Sequence, residues 1–132
     1  KQIRQVQIMG RIIGIGTDIA DVGRILKAVQ KVSFLNKCYT DSEQKLIEKR
    51  KRSAACNFAG KEAVVKAFGT GFTGILPSDI EILRNEKGAP YVNLYGKAKE
   101  VSDKLGIDKI HISLSDTKES AIAYVVAERC KE

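Results

Sequence analysis

The chain has 132 residues, 43% of them apolar, and its 23 Lys and Arg against 16 Asp and Glu leave a formal charge of +7. That length suits one domain with a modest core, mainly aliphatic because there is no Trp and few aromatics. Three scattered cysteines without a CxxC argue against a disulfide or zinc framework, and no run is apolar for long enough to read as a signal h-region or a membrane span, so the cytoplasm is the default compartment.

The basic balance asks for an anionic partner: nucleic acid, a membrane surface, a phosphate-bearing ligand or an acidic protein. Met9 can serve as a start, so residues 1–10 read as an N-terminal extension or cloning remnant ahead of a single domain over 11–132. Arg11 to Gly16, RIIGIG, is a β-branched run with glycines, a strand that tolerates close backbone approach. Thr17 and Asp18 end it and can cap a helix over Ile19 to Val32, whose outer face carries Asp21, Arg24, Lys27 and Lys31. Phe34 to Tyr39 adds a further helical turn. Thr40-Asp41-Ser42-Glu43 is a capping box, and the helix it opens runs into EKRKR at 48–52. That basic run is a solvated face or an edge for an anion. A long helix follows over Ser53 to Phe68, apolar round most of its circumference and stopped by Gly69. Then come a turn-rich loop, a hairpin (Ile80 to Arg84, Ala89 to Leu94) and a short amphipathic helix, Gly96 to Leu105. Two strands, Ile110 to Leu114 and Ser120 to Ala127, close the chain around a turn at Ser115 to Lys118. This order is α+β, or mixed α/β, with a small antiparallel-rich sheet packed on the long buried helix.

Lys61, Glu62 and Lys66 interrupt that helix. Glu62 and Lys66 lie four apart, about 40° round the axis, and share a face. Charges on a buried helix need mutual pairing, a metal or an anionic ligand. Singly, each candidate has a plain structural account: Glu62 as the partner of Lys66, Asp18 as a cap, His111 as a packed strand residue. Together, Asp18 and Glu62 suit a hard cation such as Mg²⁺, which takes one or two carboxylates and fills its shell with waters and phosphate oxygens. Basic residues around such a site suit phosphoryl-type transfer. No Walker loop, GxGxxG, HExxH or nucleophile elbow occurs.

Three stretches then resemble the holo-acyl-carrier-protein synthases, the small bacterial-type 4′-phosphopantetheinyl transferases: GIGTDIADVGRI (Gly14–Ile25), FAGKEAVVKAFGTG (Phe58–Gly71) and HISLSDTKESAIAYVVAE (His111–Glu128). The K-E-A-x-x-K-A-x-G-T-G run is the specific part, and the likeness covers nearly everything from Arg11 onward. It implies the family's fold and an enzyme of fatty acid biosynthesis that moves 4′-phosphopantetheine from coenzyme A to a serine of an apo acyl carrier protein, releasing adenosine 3′,5′-bisphosphate. It implies Mg²⁺ on Asp18, Glu62 and the coenzyme diphosphate, with Lys66 facing that diphosphate and Glu62 or a metal-bound water as base. It further implies coenzyme contacts at Lys49, Arg50, Lys66, Gly69, Thr70, Gly71, His111, Ser113 and Thr117, and carrier docking at Arg24, Lys27 and Lys31. Members are homotrimers with active sites between subunits; neither nucleic acid nor membrane is a partner.

The chain departs from the pattern at Cys56 and Asn57, where many members read G-R. The lost arginine contact would fall to Lys49, Arg50 or Arg52. Asp116 stands where many carry His; its charge would repel a coenzyme phosphate, which makes Thr117 the nearer expected contact. Asp21 replaces the commoner Glu. Two rivals fare worse. A basic RNA-binding module lacks sheet aromatics and any RNP, KH or zinc pattern, and a carrier-binding domain with a decayed site conflicts with intact Asp18, Glu62 and Lys66.

Overall fold

Of the 16 residues of Ser53–Phe68, only Phe58, Glu62 and Lys66 escape burial. They are spaced four apart, so one stripe of an otherwise enclosed helix reaches the surface. A computed structural model describes residues 10–130. The extension expected over residues 1–10 therefore lies, apart from Gly10, outside the described residues.

The elements run β1 (Arg11–Asp21), α1 (Val22–Ala28), α2 (Val32–Cys38), α3 (Asp41–Lys49) and α4 (Ser53–Phe68). A short 3-10 turn (Pro77–Asp79) leads into β2 (Ile80–Arg84), β3 (Pro90–Leu94), α5 (Gly96–Leu105), β4 (Lys109–Asp116) and β5 (Ser120–Arg129). The architecture is α+β, as expected, but in two antiparallel sheets: β1-β5-β4, which lies on α4, and the β2-β3 hairpin. Gly69 and Gly106 end α4 and α5 at φ 77° and 78°, the left-handed stop that glycine favours. Thr40 and Glu43 form the capping box of α3 in both directions.

Three boundaries differ from expectation: those of the first strand and the first helix, and that of β4, which runs on to Asp116 although the sequence places Ser115 and Asp116 in a turn. The first strand does not end at Thr17-Asp18 but continues to Asp21, because Thr17 through Asp21 pair with Tyr124 through Ser120 of β5. Asp21, not Asp18, then caps α1 by accepting from Arg24 N at 2.8 Å. The expected helix over Ile19 to Val32 is split into α1 and α2. Ile19 belongs to the strand, where tertiary pairing overrides a helical period, and Lys31 is the residue before α2, not a member of the first helix.

What holds β1 against α4 is the absence of side chains. A Cβ on Gly14 would lie 1.9 Å from the Ala67 carbonyl oxygen, and one on Gly16 would lie 1.9 Å from that of Ala63. The strand backbone therefore rests on the helix backbone with nothing between them.

The fully buried charge is Lys61, at 0% exposure, rather than Glu62. Its ammonium donates to Glu43 Oε1 at 2.8 Å, to the Pro77 carbonyl at 2.9 Å and to the Ile80 carbonyl. Glu43, also at 0% exposure, accepts in addition from Thr40 N, Asn57 Nδ2 and Ile82 N. Burial lowers the Lys61 pKa and raises that of Glu43, and each charge offsets part of the other's desolvation. The network joins α3, α4, β2 and the 3-10 turn. Lys61→Met should cost about 3–5 kcal/mol of unfolding free energy, since it strands Glu43 without its cation. Denaturant titration checks this; an unchanged midpoint would mean that the neutral donors suffice to hold the carboxylate.

Candidate active site

The exposed stripe of α4 meets β1 and α1 at a cavity of about 430 Å³, lined by Asp18, Asp21, Arg24, Phe58, Glu62 and Ser120 among others. The glycine-thin contact of β1 with α4 sets Asp18 against this stripe. Lys66 Nζ donates to Asp18 Oδ1 at 3.1 Å and to the Thr17 carbonyl at 2.9 Å. The simple account of Glu62 as the ion-pair partner of Lys66 therefore fails: Lys66 pairs across to the strand. Among the described residues, no cation lies within ion-pair distance of Glu62, which is half-buried. Burial raises its pKa above the usual carboxylate value, the Asp18 charge raises it further, and Lys66 and Arg24 pull it partly back.

A half-buried carboxylate whose protonation is raised by burial and by a neighbouring carboxylate marks a place for positive charge. Among the described residues, no cluster of three or more His, Cys, Asp or Glu is placed to hold a metal. Asp18 and Glu62 fit a hard cation of the kind that takes most of its ligands from phosphate and water. The Lys66–Asp18 pair is weakly held: with the lysine side chain 53% exposed, such a bridge is worth about 0–1 kcal/mol. A more highly charged ligand can therefore recruit Lys66 and leave Asp18 free.

Arg24 borders this cavity, and Lys27 is exposed on the same short helix. The other expected ligand residues lie elsewhere in the chain. Gly69, Thr70 and Gly71 follow the C-terminal end of α4, exposed. Lys49 and Arg50 sit before its N-terminus, roughly 24 Å away along a helix of 16 residues. His111 and Ser113 are exposed on β4, and His111 Nε2 lies 2.8 Å from Glu128 Oε1. The Thr117 hydroxyl is engaged within the β4–β5 turn, where it accepts from Glu119 N and Ser120 N.

Asn57 is not a surface contact. It is fully buried, donates to Glu43 and the Ile82 carbonyl, and accepts from Arg84 Nη2 at 2.9 Å. The guanidinium beside this position thus comes from the end of β2. Sequence reasoning passed over Arg84, and likewise Ser120 and Phe58 as cavity walls. Phe58 could have been found from its i,i+4 spacing to Glu62 on one helix face, whereas Arg84 and Ser120 are brought to their places by contacts between distant segments.

The 4′-phosphopantetheinyl transferase superfamily matches residues 14–125. The holo-acyl-carrier-protein synthase of Lachnoclostridium phytofermentans is 50% identical over 121 residues, 92% of this chain and 99% of its own length. Among solved structures, the Plasmodium yoelii acyl carrier protein synthase with ADP bound superposes with a TM-score of 0.81 at 37% identity, covering 91% of this chain and 97% of that one. The Helicobacter pylori holo-acyl-carrier-protein synthase in complex with coenzyme A gives 0.77 at 36% identity, covering 86% and 98%.

Glu62 offers a pH test. Its folded pKa lies above its unfolded one, so the unfolded chain sheds this proton first as pH rises, and stability is lost from about pH 4 upward through the folded value. In metal-free buffer Glu62→Gln should melt at the wild-type temperature near pH 4 and above it near pH 7.5. Added Mg²⁺ should raise the melting temperature of the wild type alone. A variant less stable than wild type at the higher pH would overturn this account of the site.

Proposed function

The chain belongs to the 4′-phosphopantetheinyl transferase superfamily, and from that membership we propose how its residues carry out the reaction. Its activity is that of a holo-acyl-carrier-protein synthase: it transfers 4′-phosphopantetheine from coenzyme A to a serine of an apo acyl carrier protein. The observation that carries the residue assignment is the stripe of α4 that sets Glu62 with Asp18 and Arg24 around one cavity and pairs Lys66 with that same Asp18.

The serine Oγ attacks the phosphorus that bears pantetheine. The bond from that phosphorus to the bridging oxygen of the diphosphate breaks, and adenosine 3′,5′-bisphosphate leaves. Glu62, raised in pKa by burial and by Asp18, would accept the serine proton, directly or through a water. Lys66 turns from Asp18 to the diphosphate. Asp18 and Glu62 would hold Mg²⁺, which supplies neutralisation of diphosphate charge. Arg24 and Lys27, exposed on α1, with Lys31 beyond it, steer the acidic carrier protein onto the cavity. The work is cytoplasmic; among the described residues, no helix is long and apolar enough to cross a membrane.

The active form is a homotrimer. Ile15, Ile19, Ile122 and Tyr124 share the outer face of the β1-β5-β4 sheet and are 46–65% exposed, an apolar patch that a second copy would cover. His111 and Ser113 lie on β4 of the same sheet, and residues 69–71 lie beyond the far end of α4 from Arg50. One chain does not gather these residues around one coenzyme; adjoining copies can.

The transfer itself is tested by incubating the chain with coenzyme A, Mg²⁺ and an apo carrier protein and reading a mass gain equal to phosphopantetheine. No gain across several carriers at low salt would remove the activity. Glu62→Gln should abolish the gain while leaving the fold intact, and Arg24→Glu should raise the KM for carrier without weakening coenzyme A binding. Light scattering should give a mass of about three times 14.5 kDa. Ile15→Glu with Tyr124→Glu should yield monomers that no longer bind coenzyme A, whereas monomers binding it at full strength would rule out a shared site.

A further inference from the structure

A second cavity, of about 370 Å³, opens between α1, α2 and α3. Its apolar walls are Leu26 and Val29 at the C-terminal end of α1, Leu35 of α2 and Ile47 of α3. Leu26 and Arg24 lie about 200° apart round the axis of α1. The helix therefore partitions this cavity from the candidate active site, and the two share no residue. Ile47 is buried, while Leu26, Val29 and Leu35 are half-buried and packed against the core. Gln44, also in the lining, already donates to Asn36 Oδ1 and the Tyr39 carbonyl. Glu48 and Lys51 complete the charged part of the lining, both exposed.

The surface round this cavity is strongly basic. Residues 22–52 hold nine Lys and Arg against Asp41, Glu43 and Glu48, a surplus of six out of the chain's seven. Glu43 is moreover matched by buried Lys61. Four apolar side chains fall far short of the roughly 20–30 residues that each side gives to a stable protein interface. The volume does fall within the range of about 300–1,000 Å³ that holds small ligands. An apolar pocket of that size in a basic surface suits an alkyl chain that carries an anionic head. Lys51 can lay its methylene stem along such a chain and present its ammonium to the head. We propose that the cleft between α1, α2 and α3 binds a single-chain anionic amphiphile. Its tail lies against Leu26, Val29, Leu35 and Ile47, and its head lies toward Lys51. Glu48 is the one acidic group of the lining and works against the head.

Calorimetric titration of the full chain with decanoate, below its critical micelle concentration, tests the site. One molecule should bind per chain. Affinity should rise about tenfold for every two methylenes added from hexanoate to decanoate, the worth of burying them. Decanol should bind more weakly, and decyltrimethylammonium more weakly still. Lys51→Gln should weaken decanoate and leave decanol unchanged, whereas Glu48→Gln should tighten decanoate. Val29→Trp, which fills the cavity, should abolish binding of both; should that variant not fold, the two substitutions at exposed Glu48 and Lys51 decide the matter. Decyl phosphate beside decanoate separates a lipid phosphate head from a fatty carboxylate, and the tighter of the two names the head. An absence of saturable binding, an affinity indifferent to chain length, or equal affinity for the cation overturns the proposal. So does binding that survives in Val29→Trp or is unchanged in Lys51→Gln. Displacement of decanoate by coenzyme A would overturn it by placing the amphiphile in the active site. Association with anionic vesicles but not with monomeric decanoate would overturn it in favour of a membrane surface. No readout here involves transfer, so this site and the proposed reaction stand or fall separately.

Discussion

The rest of the structure hangs on the buried pair of Glu43 and Lys61. An ammonium and a carboxylate, both fully enclosed, contribute little net stability, since desolvation cancels most of their attraction. Their consequence is positional. Lys61 Nζ is tied to α3, to the 3-10 turn and to β2 at once, which fixes the rotation of α4 about its own axis. Glu62 is the next residue, about 100° further round. Whatever locks Lys61 inward therefore aims Glu62 at the cavity. The K-E pair is thus a structural anchor followed at once by a carboxylate that lines the cavity.

The second constraint acts from the opposite side. Gly14 and Gly16 bring β1 onto α4 at backbone distance, and the same strand then carries Thr17 and Asp18 past Lys66. Asp18 belongs to a strand paired on β5, so it is held by a ladder rather than by a loop. Glu62 belongs to a helix with all but one stripe buried. A carboxylate pair carried on two regular elements keeps its spacing when charge arrives. That spacing raises the protonation of Glu62 without a cation and makes the site attractive to one.

Charge is distributed over the molecule by the same logic. The carboxylates cluster where α4 surfaces, and the basic residues of the α3–α4 turn gather round Asp116 at the other end of the helix. Arg24 borders the cavity, and Lys27 is exposed on the same helix.

Much of this is local and so was legible in the residues themselves. The Thr40–Glu43 box, the glycine stops at 69 and 106, the hairpins and the burial of the long helix depend on near neighbours and periodicity, and they stand as the sequence implies. The same holds for Asp18, Glu62 and Lys66 as candidates, because charge within an apolar run is visible without coordinates. Other features required the fold. The extension of β1 through Asp21 depends on β5, about a hundred residues away. Lys66 chose Asp18 over Glu62, Asn57 turned inward to Glu43, and Asp116 met two arginines, all through contacts between distant segments. Sequence spacing determines which side chains share a face of one element; only packing decides which faces meet, because partners from separate elements are chosen by how the whole core closes.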